Sequence, residues 1–151
     1  MSRGVRRGSR GTSLLEVLTA SAIMATVLGI GVPRLVMLRA PYALSGAAHQ
    51  IVGDIELARQ RAIARNKRFR VNFNASAGSY VLEREVAPSS FVADGATQKL
   101  PHGAVLGTVA PGNPIFDTRG MLAANTSVPV TVTGAGTKTV TINVLGRTTI
   151  N

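Results

Sequence analysis

The stretch GTSLLEVL, Gly11 to Leu18, opens an apolar run, LLEVLTASAIMATVLGIGV from Leu14 to Val32, in which Glu16 is the only charged residue. As a helix this run extends roughly 28 Å, about the thickness of a bilayer's hydrocarbon core. A carboxylate near the start of such a helix is costly unless it meets a partner, so Glu16 is the first candidate functional residue. Arg3, Arg6, Arg7 and Arg10 precede the run and outweigh Arg34 and Arg39 beyond it. The positive-inside bias then places residues 1–11 in the cytoplasm and the bulk of the chain outside. A cleaved secretory signal peptide would need a small-x-small site just after the run, and Ser45-Gly46-Ala47 lies too far downstream. A twin-arginine signal would need apolar residues after Arg6-Arg7, where Gly8-Ser9-Arg10 stand.

The remaining length holds one modest domain. With 4% aromatic residues, no Trp and 16 Gly among 151 residues, its core must be built from Val, Ile, Leu and Ala, which suits a small β-rich domain. There is no Cys, which excludes disulfides, thiolate metal sites and lipid attachment through cysteine. The net charge of +10 permits nucleic-acid or anionic-lipid partners without demanding them.

Helix is expected to continue past Pro33 with a break nearby, because Gly29, Gly31 and Pro33 fall within five positions, and Pro41 offers a second kink. Beyond it Leu44, Ala48, Ile51, Ile55, Ala58 and Ala62 recur at helical spacing and define an apolar stripe that should pack on a sheet. Gln50, Asp54, Arg61 and Arg65 are expected on the opposite face. The period then changes to two at Phe69, Val71 and Phe73, followed by a turn at Gly78 and a strand at Tyr80 to Glu83. Residues 86–103, with Pro88, Ser89, Ser90, Gly95 and Pro101, read as a long exposed loop and a candidate contact surface. Short strands are expected around Val105, at Ile115-Phe116, at Val128 to Thr133, at Thr139 to Val144 and at Thr148 to Ile150, the third and fourth joined through Gly134-Ala135-Gly136. One long helix followed by antiparallel strands is an α+β architecture.

Catalytic chemistry is not visible. His49 and His102 have no acidic or hydroxyl partner at a recognisable spacing, Asp54, Glu56, Glu83 and Glu85 read as solvated, and no phosphate loop, zinc spacing or nucleophile elbow occurs. No cofactor, metal or catalytic residue is therefore assigned. Arg59, Arg61, Arg65, Lys67, Arg68 and Arg70 put six basic residues in twelve positions, which raises nucleic-acid binding, with a solvated helix end as the simpler reading.

Gly11-Thr12-Ser13-Leu14-Leu15-Glu16 resembles the type IV prepilin signature, a short basic leader ending in Gly with Glu as the fifth mature residue, and Pro33 falls where that family commonly has proline. The resemblance implies cleavage between Gly11 and Thr12 by a prepilin peptidase, N-methylation of Thr12, and pairing of Glu16 with the terminal amine of a neighbouring subunit. An amine and a carboxylate in an apolar filament core are tolerable only when they meet. Thr12 stands where the family usually has Phe.

In the C-terminal half, Ile115-Phe116-Asp117-Thr118-Arg119-Gly120 and Thr139-Val140-Thr141-Ile142 with Leu145-Gly146-Arg147 resemble the GspH/FimT branch of the pseudopilins. This implies a type IV pilin fold: a basic leader at 1–11, a transmembrane and filament-core helix at 12–39, and a periplasmic α+β pilin domain at 40–151. It implies a bacterial inner-membrane, single-pass, non-enzymatic minor pseudopilin of a type II secretion system. The alternative is a FimT-like minor type IV pilin in pilus assembly, twitching or DNA uptake. Implied partners are other pseudopilins or pilins, the prepilin peptidase, the inner-membrane assembly platform and the lipid bilayer. DNA is a weaker candidate partner, through Arg147 with Arg65, Lys67 and Arg68. The Gly-Arg-x-Arg motif of DNA-binding members is here Gly146-Arg147-Thr148-Thr149, with half the charge.

Overall fold

The computed structural model describes residues 13–101 and 103–151, the side chains of 31–38 excepted. Gly11, Thr12, the rest of the expected leader and His102 lie outside the described residues.

Helix α1 spans Leu14–Arg65. It starts where the Ser13 carbonyl accepts the amides of Glu16 and Val17, at 2.9 and 3.2 Å. It stops at Asn66, whose φ of 49° takes the left-handed conformation that asparagine tolerates. The Asn66 amide then reaches the Ile63 carbonyl and the Lys67 amide the Ala62 carbonyl, the paired bonds of a Schellman end. Helical backbone runs through Pro33 and Pro41, so the expected break does not interrupt the helix. A proline removes its own amide bond and crowds the carbonyl one turn earlier, which can bend a helix without ending it.

By its contacts the chain divides after Leu38 into two units. In the first, every described residue belongs to α1, except Ser13 before it. The second, from Arg39, holds the rest of α1 and, among the described residues, nine strands in two antiparallel sheets. The first sheet contains β1 (Phe69–Asn74), β2 (Ser79–Ala87), β3 (Ser90–Ala93), β4 (Gln98–Lys99) and β6 (Ile115–Phe116), in the order β3-β2-β1-β6 with β4 also on β2. The second contains β5 (Ala104–Leu106), β7 (Thr126–Val132), β8 (Gly136–Ile142) and β9 (Thr148–Ile150), in the order β5-β7-β8-β9.

The expected helical stripe is the spine of the core: Leu44, Ala48, Ile51, Ile55, Ala58 and Ala62 are all buried, with Ala47 beside them. They belong to one apolar cluster with Phe69, Val71, Tyr80, Leu82 and Phe116 of the first sheet and Val128, Val130, Val140 and Ile142 of the second. Full burial of a side chain such as Ile51 or Ile55 is worth roughly 1.5–3 kcal/mol. The chain is thus α+β, one long helix packed on antiparallel sheet.

Residues 86–103 are not one long loop. β3 folds back on β2 through Pro88-Ser89, with Ala87 opposite Ser90 and a register shift between Glu85 and Ala87. β4 pairs with the start of β2, Ser79 opposite Lys99. Edge pairing runs through backbone groups and needs no apolar alternation, so Pro, Gly and Ser hid these strands.

Candidate functional site

Three places in the fold carry unusual side-chain chemistry. In the first unit, Leu14, Leu15, Val17, Leu18, Ile23, Met24, Val27, Leu28 and Ile30 are each more than half exposed. A helix apolar on every side is normally enclosed by protein or lipid. Glu16, in its first turn, is exposed among them. The side chain of Pro33 lies outside the described residues. Among the described residues no helix is long and apolar enough to cross a membrane, and described side chains of the apolar run end at Ile30.

The second place is the edge where the end of α1 meets β2 and β3. Asp94, just after β3, receives Arg61 at 2.9 Å, Arg65 at 2.8 Å and Arg84 at 3.5 Å. Arg68 reaches Glu85 at 3.0 Å, and Arg70 donates to Glu83, which also accepts from Asn72 at 3.0 Å. The Arg70 guanidinium lies 4.4 Å over the Phe91 ring. The carboxylates at 83 and 85 are therefore engaged, as is Asp54, contrary to the solvated reading. Arg61 and Arg65 likewise clamp the β3 end, and the face of α1 that carries them is not free. Of the candidate nucleic-acid residues, Arg65 and Arg68 are paired, while Lys67 is exposed with no carboxylate within 4.0 Å among the described residues.

Between α1 and the first sheet, the buried Tyr80 hydroxyl donates to Asp54 Oδ2. Gln50 Nε2 donates to the Tyr80 oxygen at 3.0 Å and to the Lys99 carbonyl at 3.2 Å. Burial, reinforced by the hydrogen bond to Asp54, pushes the Tyr80 hydroxyl well above its ordinary value. This is a structural tie between helix and sheet. Among the described residues no cluster of His, Cys, Asp or Glu could hold a metal, and His49 is exposed on α1.

The third place joins the two C-terminal motifs singled out in the sequence. Asp117 Oδ1 accepts the amides of Met121 and Arg119, both at 2.9 Å, and closes the turn at 117–121. The Met121 amide, followed by the Arg119 side chain, holds the Asp117 carboxyl below its ordinary value. Asn143 Oδ1 accepts the amides of Leu145 at 3.1 Å and Arg147 at 2.9 Å and closes the turn at 143–147. Gly120 and Gly146 both have φ of 76°. A Cβ on Gly146 would sit 2.5 Å from the Gly120 carbonyl oxygen and 2.7 Å from Arg59 Nε. Arg59 Nε donates to that same carbonyl at 3.3 Å, and its Nη1 reaches Glu56 at 3.1 Å. The two glycine turns thus abut on α1, and the Arg147 side chain projects, exposed, from their junction.

Sequence reasoning did not single out Asp94, Glu83 or Tyr80 as organising residues. A signal for one of them was present. Arg68 with Glu85 and Arg70 with Glu83 are placed symmetrically about the turn at Gly78, so a tight hairpin there brings each pair opposite. Asp94 had no such signal, since its partners come from α1 and β2.

Residues 47–146 match the model of the family described as type II transport protein GspH. Comparison with curated protein sequences finds no match. Among solved structures the chain is similar to two of the minor pseudopilin EpsH from the type II secretion system of Vibrio cholerae. In the first, identity is 14% and the TM-score 0.59, over 72% of this chain and 95% of that one. In the second they are 11% and 0.62, over 74% and 97%. It is similar also to the type IV minor pilin FimU of Pseudomonas aeruginosa, with 13% identity, a TM-score of 0.58, and 72% of this chain and 87% of that one covered. At these identities the structures establish a shared fold, whereas the family match spans the stripe of α1 from Ala48 onward, every strand but β9, and the turn glycines Gly120 and Gly146. The chain belongs to the GspH family of type II transport proteins.

Proposed function

We propose that this protein is a minor pseudopilin, a structural subunit of the periplasmic pseudopilus of a type II secretion system, processed by prepilin peptidase between Gly11 and Thr12. One observation carries the reading: a helix whose large apolar side chains from Leu14 to Ile30 are exposed on every side, with Glu16 the single acid among them. Such a helix finds apolar surroundings in the inner membrane before assembly and among the helices of the other pilin-like subunits after it. Glu16 then pairs with the terminal amine of a neighbouring subunit, each charge offsetting the desolvation of the other. Pro33 loosens the helix on assembly. The function is packing and not catalysis; the assembly platform and the other pilin-like subunits are its partners.

A minor type IV pilin in pilus assembly, twitching or DNA uptake is the second reading, favoured by the likeness to FimU. Complementation of a deletion strain tests both. Wild type should restore secretion while Glu16→Ala, still present in the membrane, should not. Secretion intact in the deletion strain, with twitching or transformation lost, moves the protein to the pilus. Full complementation by Glu16→Ala removes the assembly mechanism.

A further inference from the structure

The carboxylates of the second unit are consumed within it. Glu56, Glu83, Glu85, Asp94 and Asp117 each face an arginine, and Asp54 accepts from Tyr80. The charges left over are positive. At the junction of the two glycine turns with the end of α1, Arg147 and Lys67 are exposed and have no carboxylate partner among the described residues. The same end displays apolar side chains that the core does not take: Ile63 is 47% exposed, Val144 40% and Leu145 53%. These groups are held close together. Gly146, between Leu145 and Arg147, abuts Gly120 and Arg59, and a Cβ on Gly120 would meet Ile63 Cδ1 at 2.8 Å. Thr118 of the neighbouring turn lines one groove with Lys67, with Arg68 and with Glu85, whose charge Arg68 takes.

From this we infer that the junction of the 117–121 and 143–147 turns with the end of α1 is a docking surface for an acidic polypeptide segment that also carries apolar side chains. Exposed apolar groups flanked by two free cations suit a protein partner with matching apolar and acidic side chains. A duplex or single strand would instead call for a continuous line of free cations or exposed aromatic rings. Here Arg61, Arg65, Arg68 and Arg70 are each held by a carboxylate of the domain, Glu85 and Glu83 one to one and Asp94 shared among Arg61, Arg65 and Arg84. The turns that build the surface are fixed by Asp117 and Asn143, so little order is lost on binding. The inference stands on the second unit and survives if the pseudopilus reading fails.

The test uses the full chain in detergent and three labelled probes matched in charge: a short peptide of Glu interspersed with Leu and Phe, poly-glutamate, and duplex DNA. The mixed peptide should bind at near-physiological salt at least tenfold more tightly than either of the others. Arg147→Glu and Leu145→Ser should each weaken it about tenfold. Lys138→Glu, at the other end of β8, should leave it unchanged. Both weakening substitutions are at exposed positions, and an unchanged unfolding transition confirms that each variant folds. Failure of the peptide to bind overturns the inference, as does binding indifferent to Arg147→Glu and Leu145→Ser. Tighter binding of DNA that is lost with Arg147→Glu assigns the surface to nucleic acid instead.

Discussion

Replacing Gly146 by Ala tests the junction on which both C-terminal motifs converge. With φ of 76°, an alanine there adopts a left-handed conformation that costs about 1–2 kcal/mol. Its methyl group would also lie 2.5 Å from the Gly120 carbonyl oxygen and 2.7 and 2.8 Å from Arg59 Nε and Cδ. The arginine can swing aside, but the carbonyl is backbone and belongs to a turn fixed by Asp117. Overpacking of this kind adds about 1–3 kcal/mol. Gly134 is the control: its φ is 84° and a Cβ there meets nothing within 4 Å, so Gly134→Ala should show the backbone cost alone. Urea unfolding of the two full-length variants in the same detergent should place Gly146→Ala roughly 1–3 kcal/mol below Gly134→Ala. Adding Arg59→Ala should recover part of the difference, because one of the two clashing groups is then gone. Equal destabilisation at Gly146 and Gly134 would refute the close approach of the two turns.

Tyr80 makes stability depend on alkaline pH. Because its folded hydroxyl titrates above the ordinary value, the stability it confers is complete below about pH 10, where the unfolded tyrosine ionises, and declines as the pH rises further. Tyr80→Phe should remove that slope in unfolding measured from neutral to alkaline pH. It should also cost about 1–3 kcal/mol at neutral pH by leaving Asp54 without its donor. Asp94→Ala strands three arginines at a partly exposed site, so the loss should be only about 1–2 kcal/mol after solvent screening. The local effect should be larger: amides of residues 90–99 should exchange hydrogen faster than those of β7 and β8, and equal protection would contradict the clamp.

Strong periodicity made the helical stripe and the alternating strands legible, because burial imposes the pattern it is read by. Leu44 to Ala62 along α1, Phe69 to Phe73 in β1 and the β7–β8 hairpin all follow from that rule. β3 and β4 were illegible because they are short, polar edge strands held by backbone pairing to β2. The engagement of the basic run was hidden for a different reason. A charged residue is counted as solvated until a partner is placed beside it, and the partners of Arg61 and Arg65 lie some thirty residues away at Asp94. The two glycine turns were recognisable singly, as motifs, yet nothing local says that Gly120 and Gly146 touch. That contact depends on how β6 and β8 are laid against α1.

Processing at Gly11-Thr12 underlies the filament reading, and mass spectrometry of the protein extracted from membranes of a host with its prepilin peptidase tests it most directly. The mature chain should begin at Thr12, four residues before Glu16, and a peptidase-deficient host should retain Met1 to Gly11. A chain that begins anywhere else, or that is indifferent to the peptidase, would contradict processing at Gly11-Thr12 and with it the assembly of this protein into a filament.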